Sequence, residues 1–292
     1  MAHRKKKLSD RYDGYKLKAT KSDLFFCLIP HIMRSRLDSM CFFNEKIDLQ
    51  PIEALMKELR NQGHRDIKTY HIIMAAIVRS ISQRPRVNRF VCGRNIYARD
   101  HINLSLAIKR DMSDDGEETT IKPMFDPYDD LFDVARKITE TYNASAEEDG
   151  EIDKFVSMLI KMPNFIRRFI VFLARNLDKV GLMPKFIHEI SPFHSSAFVT
   201  DVGSIGIRPI YHHLYEFGTT SMFISIGKKE KELTIDKDGS VRERRFIGIN
   251  LVVDERICDG FYFSSAFRYF VRLLQHPEKL LEKPETVYED EY

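Results

Sequence analysis

The C-terminal third of the chain constrains the fold most, because a series of strand patterns there ends in one amphipathic helix. SAFVTDVGS, TSMFISIGK and RRFIGINLVVD are β-rich runs, and KELTIDKDGSVRERR places an Asp-Gly turn between two strands as a hairpin. FYFSSAFRYFVRLLQH follows, with Phe263, Phe267, Phe270 and Leu274 on one helical face. The turn DERICDG, residues 254 to 260, therefore joins the last strand to a helix.

The first half of the chain mixes helix and strand patterns. PHIMRSRLDSM indicates a short extended segment, after which Leu55 and Leu59 repeat at helical spacing until Gly63. TYHIIMAAIVRSISQRP is apolar on most sides, which indicates a buried helix that ends at Pro85. INLSLAIKR alternates as a half-buried strand does, and DPYDDLFDVARKITETYNASAEEDGE indicates an exposed amphipathic helix.

Residues 154 to 187 are at once very apolar and basic. One interpretation is a helix pair that lies on a membrane surface or on a partner. The interpretation we favour is a helical hairpin that packs on its own domain, punctuated by Pro163 and Gly181. Arg167 and Arg168 interrupt the apolar run, so a membrane-spanning helix is not expected.

Composition excludes several functional classes. The 292 residues contain 46 Lys and Arg against 43 Asp and Glu. A net charge of only +3 does not predict a nucleic-acid-binding surface. The cysteines (Cys27, Cys41, Cys92 and Cys258) are far apart and form neither a C-x-x-C pair nor a ligand cluster with histidine, so no metal site is predicted.

The N-terminal segment, residues 1 to 23, is basic and is expected to be a poorly ordered tail. It is followed by charged and polar residues rather than by the apolar core of a signal peptide. Unpaired cysteines and the lack of a targeting signal favour a soluble protein in the reducing cytoplasm.

Several of these segments, in this order, resemble the catalytic domain of dihydrolipoyl acyltransferases of 2-oxoacid dehydrogenase complexes. The resemblance rests on GKKEKELTIDKDGSVRERRFIGINLVVDERICDG, on FVTDVGSIG and on RNIYARDHINLSLAIKRD. The continuation CDGF resembles chloramphenicol acetyltransferase. The resemblance implies an α/β two-layer sandwich with a mixed β-sheet, over residues 24–292, with a helical insertion at about 148–190.

The resemblance also implies a chemistry. In that family a histidine removes the proton from a thiol or hydroxyl acceptor, which attacks an acyl thioester, and a serine or threonine hydroxyl stabilises the oxyanion. Matched position by position, Thr200 corresponds to the hydroxyl, Asp259 and Gly260 to the Asp-Gly pair, and Glu255 replaces the histidine. The family's homotrimer, with active sites at subunit interfaces, is likewise implied.

Each candidate residue also has a structural interpretation. Glu255 is a base if its surroundings raise its pKa from about 4.3 towards 7, and otherwise an ion-pair partner of arginines such as those in VRERR. Asp259 in a turn before a helix commonly caps backbone amides, while Gly260 supplies backbone freedom. Thr200 is by default a residue that favours a β-strand.

His212 and His213 are the candidates to replace the missing histidine, because they precede the TSMFISIG strand. Cys258 lacks a neighbouring base in the sequence, which argues against a nucleophile there.

Two hypotheses follow from the sequence. The first is acyl transfer from a CoA or lipoyl-type thioester to a thiol or hydroxyl acceptor, with no permanently bound cofactor and with acyl-CoA as co-substrate. The second is a catalytically silent trimeric binding or structural protein.

Overall fold

The structure is a computed structural model that describes residues 5–18, 24–109, 118–147, 157–236 and 238–290. Within these ranges ten strands form two sheets. The strands are β1 (Gly14–Lys16), β2 (Met40–Asp48), β3 (Arg89–Cys92), β4 (Asn95–Arg99), β5 (Ile102–Lys109), β6 (Glu118–Ile121), β7 (Met124–Phe125), β8 (Ala197–Asp201), β9 (Met222–Ile235) and β10 (Val241–Asp254).

Seven longer helices are described in the same ranges. They are α1 (Leu24–Ile32), α2 (Gln50–Asn61), α3 (Thr69–Gln83), α4 (Leu131–Glu147), α5 (Asn164–Lys179), α6 (Lys185–Ile190) and α7 (Gly260–Gln275). The segment PHIMRSRLDSM, predicted as extended, instead begins inside α1 and continues through a short 3₁₀ turn before β2. Pro30 lies inside α1, where the fixed φ of proline is compatible with helical backbone.

The main sheet is mixed. Its strand order is β2-β10-β9-β8-β5-β6, with β7 also paired to β5. The pairs β9–β8 and β8–β5 are parallel, and the other pairs are antiparallel. Strand β2 is an edge strand of this sheet.

Helices α2, α3, α4 and α7 cover one face of the main sheet. Their apolar residues form a single core with alternate residues of the strands, such as Leu106, Val199 and Ile249. Helix α3 is buried along most of its length, as its continuous apolar pattern predicts. On α7, Phe263, Phe270 and Leu274 are buried, because spacings of seven and four residues lie on one helical face. The predicted two-layer α/β sandwich with a mixed sheet is confirmed.

The hairpin predicted from the Asp-Gly pair is formed by β9 and β10. These strands are antiparallel, with Val241 opposite Ile235 at the turn and Val253 opposite Met222 at the far end. The glycine of the pair, Gly239, has φ +79°, a conformation that glycine adopts without steric cost. The long hairpin thus carries the chain directly to the DERICDG turn.

Part of the segment expected to be a poorly ordered tail belongs to the fold. Strand β1 pairs with β4, which in turn pairs with β3, so that residues 14–16 complete a small antiparallel sheet. Arg11 and Asp13 are buried beside it. The basic composition of the segment was misleading, because its buried charges are paired rather than solvated. Residues 1–4 and 19–23 lie outside the described residues.

Two helices fall within residues 148–190, the range predicted as a helical insertion, of which residues 148–156 lie outside the described ranges. Its main element is α5, followed by α6. Asp178 near the C-terminal end of α5 pairs with Arg11, and His188 of α6 lies 3.1 Å from Asp13, so both helices contact the segment that leads into β1. The apolar side chains on the outer face of α5 are exposed, so this helix does not bury its aromatic residues on its own domain. No helix in the described ranges is long and apolar enough to cross a bilayer.

Candidate active site

The DERICDG turn begins where β10 ends. Asp254 is the last residue of the strand, Glu255 to Ile257 form one 3₁₀ turn, and α7 begins at Gly260. The Asp259 carboxylate accepts a hydrogen bond of 2.8 Å from the backbone N–H of Tyr262, which caps the helix as the sequence predicted. Gly260 has a negative φ and open space where a Cβ would lie. Within one chain, neither backbone conformation nor packing therefore requires a glycine at this position.

Asp254, rather than Glu255, is the buried carboxylate of the turn. It is fully buried and accepts hydrogen bonds from the guanidinium of Arg256 at 2.6 and 2.8 Å and from the hydroxyl of Ser39 at 3.0 Å. The guanidinium of Arg36 lies 4.0 Å away and also donates to the carbonyl of Gly218 at 2.8 Å. Two buried arginines therefore share the Asp254 carboxylate.

Glu255 is exposed at the end of the main sheet. Its carboxylate contacts the half-buried thiol of Cys41 on the neighbouring edge strand β2. Burial, together with the charge and hydrogen bond of Glu255, raises the pKa of the Cys41 thiol. The thiol is thus kept protonated beside the carboxylate at neutral pH.

The arginines of VRERR do not pair with Glu255. Arg242 pairs with Asp236, Arg244 with Asp236 and Asp48, and Arg245 with Glu53. In the described part of the chain Glu255 has no ion-pair partner. The carboxylate is therefore free to meet an external group.

Thr200 is half-buried on β8, opposite Ser225 of β9. It lies on the face of the main sheet away from the helices, because Phe198, two residues earlier, belongs to the small apolar cluster on that face. Among the described residues no partner hydrogen-bonds to the Thr200 hydroxyl. Strand spacing and register separate Thr200 and Glu255 by about 15 Å or more, so one chain does not bring them together.

His212 and His213 lie in the segment that crosses this same face. The ring of His212 stacks on Phe223 with centroids 4.1 Å apart, and Phe223 pairs with Phe198 of β8. His212 is half-buried and His213 is exposed. The structure therefore places His212 on the Thr200 face of the sheet and away from Glu255.

Cys258 is buried under the turn, and burial raises the pKa of its thiol. A thiol of raised pKa that solvent does not reach is a poor nucleophile, in agreement with the sequence argument.

Several solved structures with a similar architecture are acyltransferases. A probable dihydrolipoamide acetyltransferase from Listeria monocytogenes superposes with a TM-score of 0.56 at 12% identity, covering 94% of this chain and 98% of that chain. The cubic core of the pyruvate dehydrogenase multienzyme complex has a TM-score of 0.56 at 11% identity, with coverages of 91% and 93%. For a chloramphenicol acetyltransferase the values are 0.54 and 10%, with coverages of 89% and 99%.

The chain has the chloramphenicol acetyltransferase-like fold. Both chains are covered almost completely in each comparison, so the likeness extends over the whole architecture. No model of a known protein family matches the sequence. A search of curated proteins finds no relative by sequence.

A buried polar cluster between the small sheet and the helical insertion was not anticipated from the sequence. Asp178, His188 and His194 each place one potential metal-ligand atom within 4.8 Å of the others. Burial, with the neighbouring His194 and the charge of Arg11, lowers the pKa of His188 to about 2. Burial likewise lowers the pKa of His194. Both imidazoles are therefore neutral at physiological pH, the state in which histidine binds metals.

Charge balance argues that this cluster is a structural network rather than a metal centre. Asp178 already pairs with Arg11 at 2.7 Å, and Arg11 also pairs with Asp13 at 2.9 Å. Arg99 lies 3.9 Å from Asp13, so that two carboxylates face two guanidiniums. A dication would add uncompensated buried charge, which is costly.

Asp201 is a second residue whose position the sequence did not reveal. It follows Thr200 on β8 and therefore points to the opposite face, where it lines a cavity of about 420 Å³ with Tyr70 and Lys229. Burial raises the pKa of Asp201, although the backbone amides of Ser204 and Gly203 oppose that effect. The FVTDVGSIG segment thus presents one polar side chain to each face of the sheet.

Proposed function

We propose that the protein transfers an acyl group from a CoA or lipoyl-type thioester to a thiol or hydroxyl acceptor, at sites formed between the subunits of a homotrimer. Glu255 acts as the general base, and the Thr200 hydroxyl stabilises the oxyanion. Asp259 holds the start of α7 and positions the turn that carries Glu255.

One observation carries this proposal. On the chloramphenicol acetyltransferase-like fold, Glu255 follows β10 in the turn that leads to the capped helix, where the resembling family has its histidine. Its carboxylate is exposed and has no arginine partner among the described residues. A base needs an accessible lone pair, and Glu255 provides one. The neighbouring thiol of Cys41 is neutral, so it adds no charge to the site.

A site built from two copies reconciles the positions of Glu255 and Thr200. The two residues lie on opposite faces of one sheet, since Cys41 beside Glu255 packs against the helix-side core whereas Thr200 shares the face of Phe198. Contact between the Glu255 edge of one copy and the Thr200 face of another would bring them together. Phe42, Ile210 and Tyr211 leave apolar surface exposed for such a contact.

In the proposed reaction Glu255 first accepts one proton and later donates it. The Glu255 carboxylate accepts the proton of the acceptor thiol or hydroxyl as its sulfur or oxygen bonds to the thioester carbon. The carbonyl oxygen becomes an oxyanion, to which the Thr200 hydroxyl donates a hydrogen bond. Collapse of this intermediate breaks the carbon–sulfur bond, and Glu255 returns the proton to the departing thiolate.

A second candidate function is a catalytically silent trimeric binding protein. The exposure of Glu255 supports it, because a catalytic base is normally enclosed with its substrate away from water.

Transfer of acetyl groups from acetyl-CoA to small thiols and alcohols, followed by mass spectrometry of the acylated acceptor, separates the two candidates. If Glu255 is the base, Glu255→Gln lowers the rate by about 10² to 10⁴. Thr200→Val lowers it by about 10² to 10³, because the oxyanion loses a donor. Glu285→Gln, at an exposed position in the C-terminal segment, is the matched control and leaves the rate unchanged.

Two results would contradict the assignment. A rate that rises in Glu255→His and is unaffected by Glu255→Gln would mean that the wild-type site lacks a base. If wild type and both variants neither turn over nor bind acetyl-CoA, the silent binding protein is the correct function.

A further inference from the structure

The outer face of α5 carries a stripe of three phenylalanines in solvent. Phe165, Phe169 and Phe172 are 73%, 63% and 63% exposed. Spacings of four and three residues place them on one side of the helix. Ile166 and Ile170, on the other side, are half-buried against the protein. Helix α5 is therefore apolar on two sides, and only one of them is used by its own domain.

Positive charges flank this stripe. Arg168, Arg175 and Lys179 are spaced by seven and four residues, lie beside the phenylalanines around the helix, and are exposed. No carboxylate in the described part of the chain pairs with any of the three. The sequence has no Asp or Glu from residue 157 to residue 177. Among the described residues of α5, the uncovered face thus carries apolar side chains and positive charges.

Helix α1 adds a second exposed apolar face. Phe25, Leu28 and Ile32 are 66%, 57% and 63% exposed, at spacings of three and four residues. The C-terminal ends of α1 and α5 line one cavity of about 320 Å³, to which Pro30 of α1 and Arg175 of α5 both contribute. The two apolar helices therefore meet at a shared opening.

This cavity is lined by basic side chains. Besides Arg175 and Lys179 it includes Arg34 and Arg94, both exposed and without an acidic partner in the described ranges. Two carboxylates also line it: Asp178, which is buried and paired with Arg11, and the exposed Glu216. Arg94 has φ +66° in the two-residue turn between β3 and β4, after Gly93 at φ +54°. This hairpin turn projects the Arg94 side chain from a rigid strand pair. Four cations that have no acidic partner among the described residues thus outnumber the one exposed carboxylate around a space large enough for a phosphate group.

We propose that this face docks on an anionic phospholipid bilayer. The phenylalanines of α5 and the apolar residues of α1 insert at the boundary between headgroups and acyl chains, and the flanking Arg and Lys contact lipid phosphates. The basic cavity between the two helices takes the phosphate of one lipid headgroup. The protein would then act as a peripheral membrane protein, whatever reaction it catalyses.

Charge selects the bilayer over a second copy of the chain. The unpaired cations beside the phenylalanines would need matching carboxylates on a second copy, whereas an anionic bilayer supplies phosphates. A twofold contact would bring the same cations of two copies together, because each copy presents the same patch. The exposed apolar residues assigned above to the trimer contact, such as Phe42 and Tyr211, lie on the main sheet and leave this face free.

Flotation of the full chain with vesicles tests the proposal. Wild type is expected to float with phosphatidylcholine vesicles that contain phosphatidylserine, not with phosphatidylcholine alone, and to bind less as ionic strength rises. The triple variant Arg168→Gln, Arg175→Gln, Lys179→Gln should lose at least tenfold in partitioning. The double variant Phe169→Ser, Phe172→Ser should lose as much while keeping the secondary structure seen by circular dichroism.

Matched controls come from elsewhere on the surface. Arg65→Gln, Arg268→Gln, Lys279→Gln removes three exposed cations, and Phe261→Ser removes a phenylalanine that is 81% exposed. Both should bind like wild type. Equal losses in the controls, binding to neutral vesicles, or no binding to either kind of vesicle would overturn the proposal. So would a change of oligomeric mass in Phe169→Ser, Phe172→Ser, since it would show that this face contacts another copy.

Discussion

The thiol of Cys41 on the edge strand β2 contacts the carboxylate of Glu255 just beyond the end of the adjacent strand β10. These residues are 214 positions apart in the chain and meet because β2 and β10 pair in register, with Cys41 opposite Val253. The contact makes Cys41 a built-in reporter of the charge at position 255.

Glu255→Gln is expected to lower the pKa of the Cys41 thiol. Burial is the larger cause of the raised pKa and remains, but the negative charge of Glu255 is removed. The rate of Cys41 alkylation by iodoacetamide, followed against pH by peptide mass spectrometry, should reach half-maximum at a lower pH in the variant. Glu45→Gln, on the same strand, is the control and should leave the profile unchanged. An identical profile in wild type and Glu255→Gln would show that the two groups do not interact in solution.

Asp254→Ala should be one of the most destabilising substitutions in the protein. It leaves the buried guanidiniums of Arg36 and Arg256 without their carboxylate, and loss of one partner of a buried ion pair costs about 3–5 kcal/mol. Chemical denaturation measures the change in the free energy of unfolding. Glu243→Ala, which breaks an exposed pair with Lys231, should change it by only about 0.5 kcal/mol. Similar values for the two variants would contradict this account of the turn.

Asp259→Ala should destabilise the protein by about 0.5–2 kcal/mol, since the backbone N–H of Tyr262 loses its acceptor. Asp259→Asn retains an oxygen at the cap and should lose only a few tenths of a kcal/mol. Denaturation of the two variants under the same conditions checks the difference. If both lose stability equally, the charge of Asp259 rather than its hydrogen bond supports the helix.

The stability of the fold should fall on acidification from about pH 6.5. His188 has a folded-state pKa of about 2, well below the value of about 6.5 expected in the unfolded chain, so the unfolded state binds more protons between these limits. The contribution of His188 to the free energy of unfolding is then fully present above the unfolded-state pKa and is lost as the pH falls. Burial alone would raise the pKa of Asp178, but His194 and Arg11 lower it to about 2, which adds a further loss below about pH 4.

His188→Gln tests this pH dependence. The variant should show a shallower decline of unfolding free energy between pH 6.5 and 4.5, by at most about 1.4 kcal/mol per pH unit, even if it is less stable overall. His276→Gln replaces an exposed histidine and should retain the wild-type slope. An unchanged slope in His188→Gln would mean that His188 is not buried in its neutral form.

Light scattering should give a mass about three times the 34.3 kDa of the chain. Phe42→Lys, in the exposed apolar surface on the Thr200 face, should reduce that mass by placing charge in the proposed contact. Met124→Lys, at an equally exposed apolar position on β7, should not. A monomeric wild type at micromolar concentration would remove the shared site from the proposed mechanism.

Local patterns in the sequence determined much of the framework. The β9–β10 hairpin, the buried helix α3, the amphipathic helix α7 and the cap by Asp259 follow from periodicity and turn chemistry, which act over a few residues. The order of these segments, with the resemblance that it carries, also predicted the mixed sheet and its covering helices. Each of these features depends on neighbours close in the chain or on a strand order already implied by the family.

Only the tertiary structure decided which distant side chains meet. Asp254 is buried beside Arg36 and Arg256, whereas Glu255 is exposed, because successive residues at the end of β10 point to different surroundings. Strand β1 and the cluster of Asp178 and His188 depend on contacts between segments more than 80 residues apart. No local signal marks such contacts, since a buried charge and a solvated charge look alike in a sequence until the fold supplies the partner.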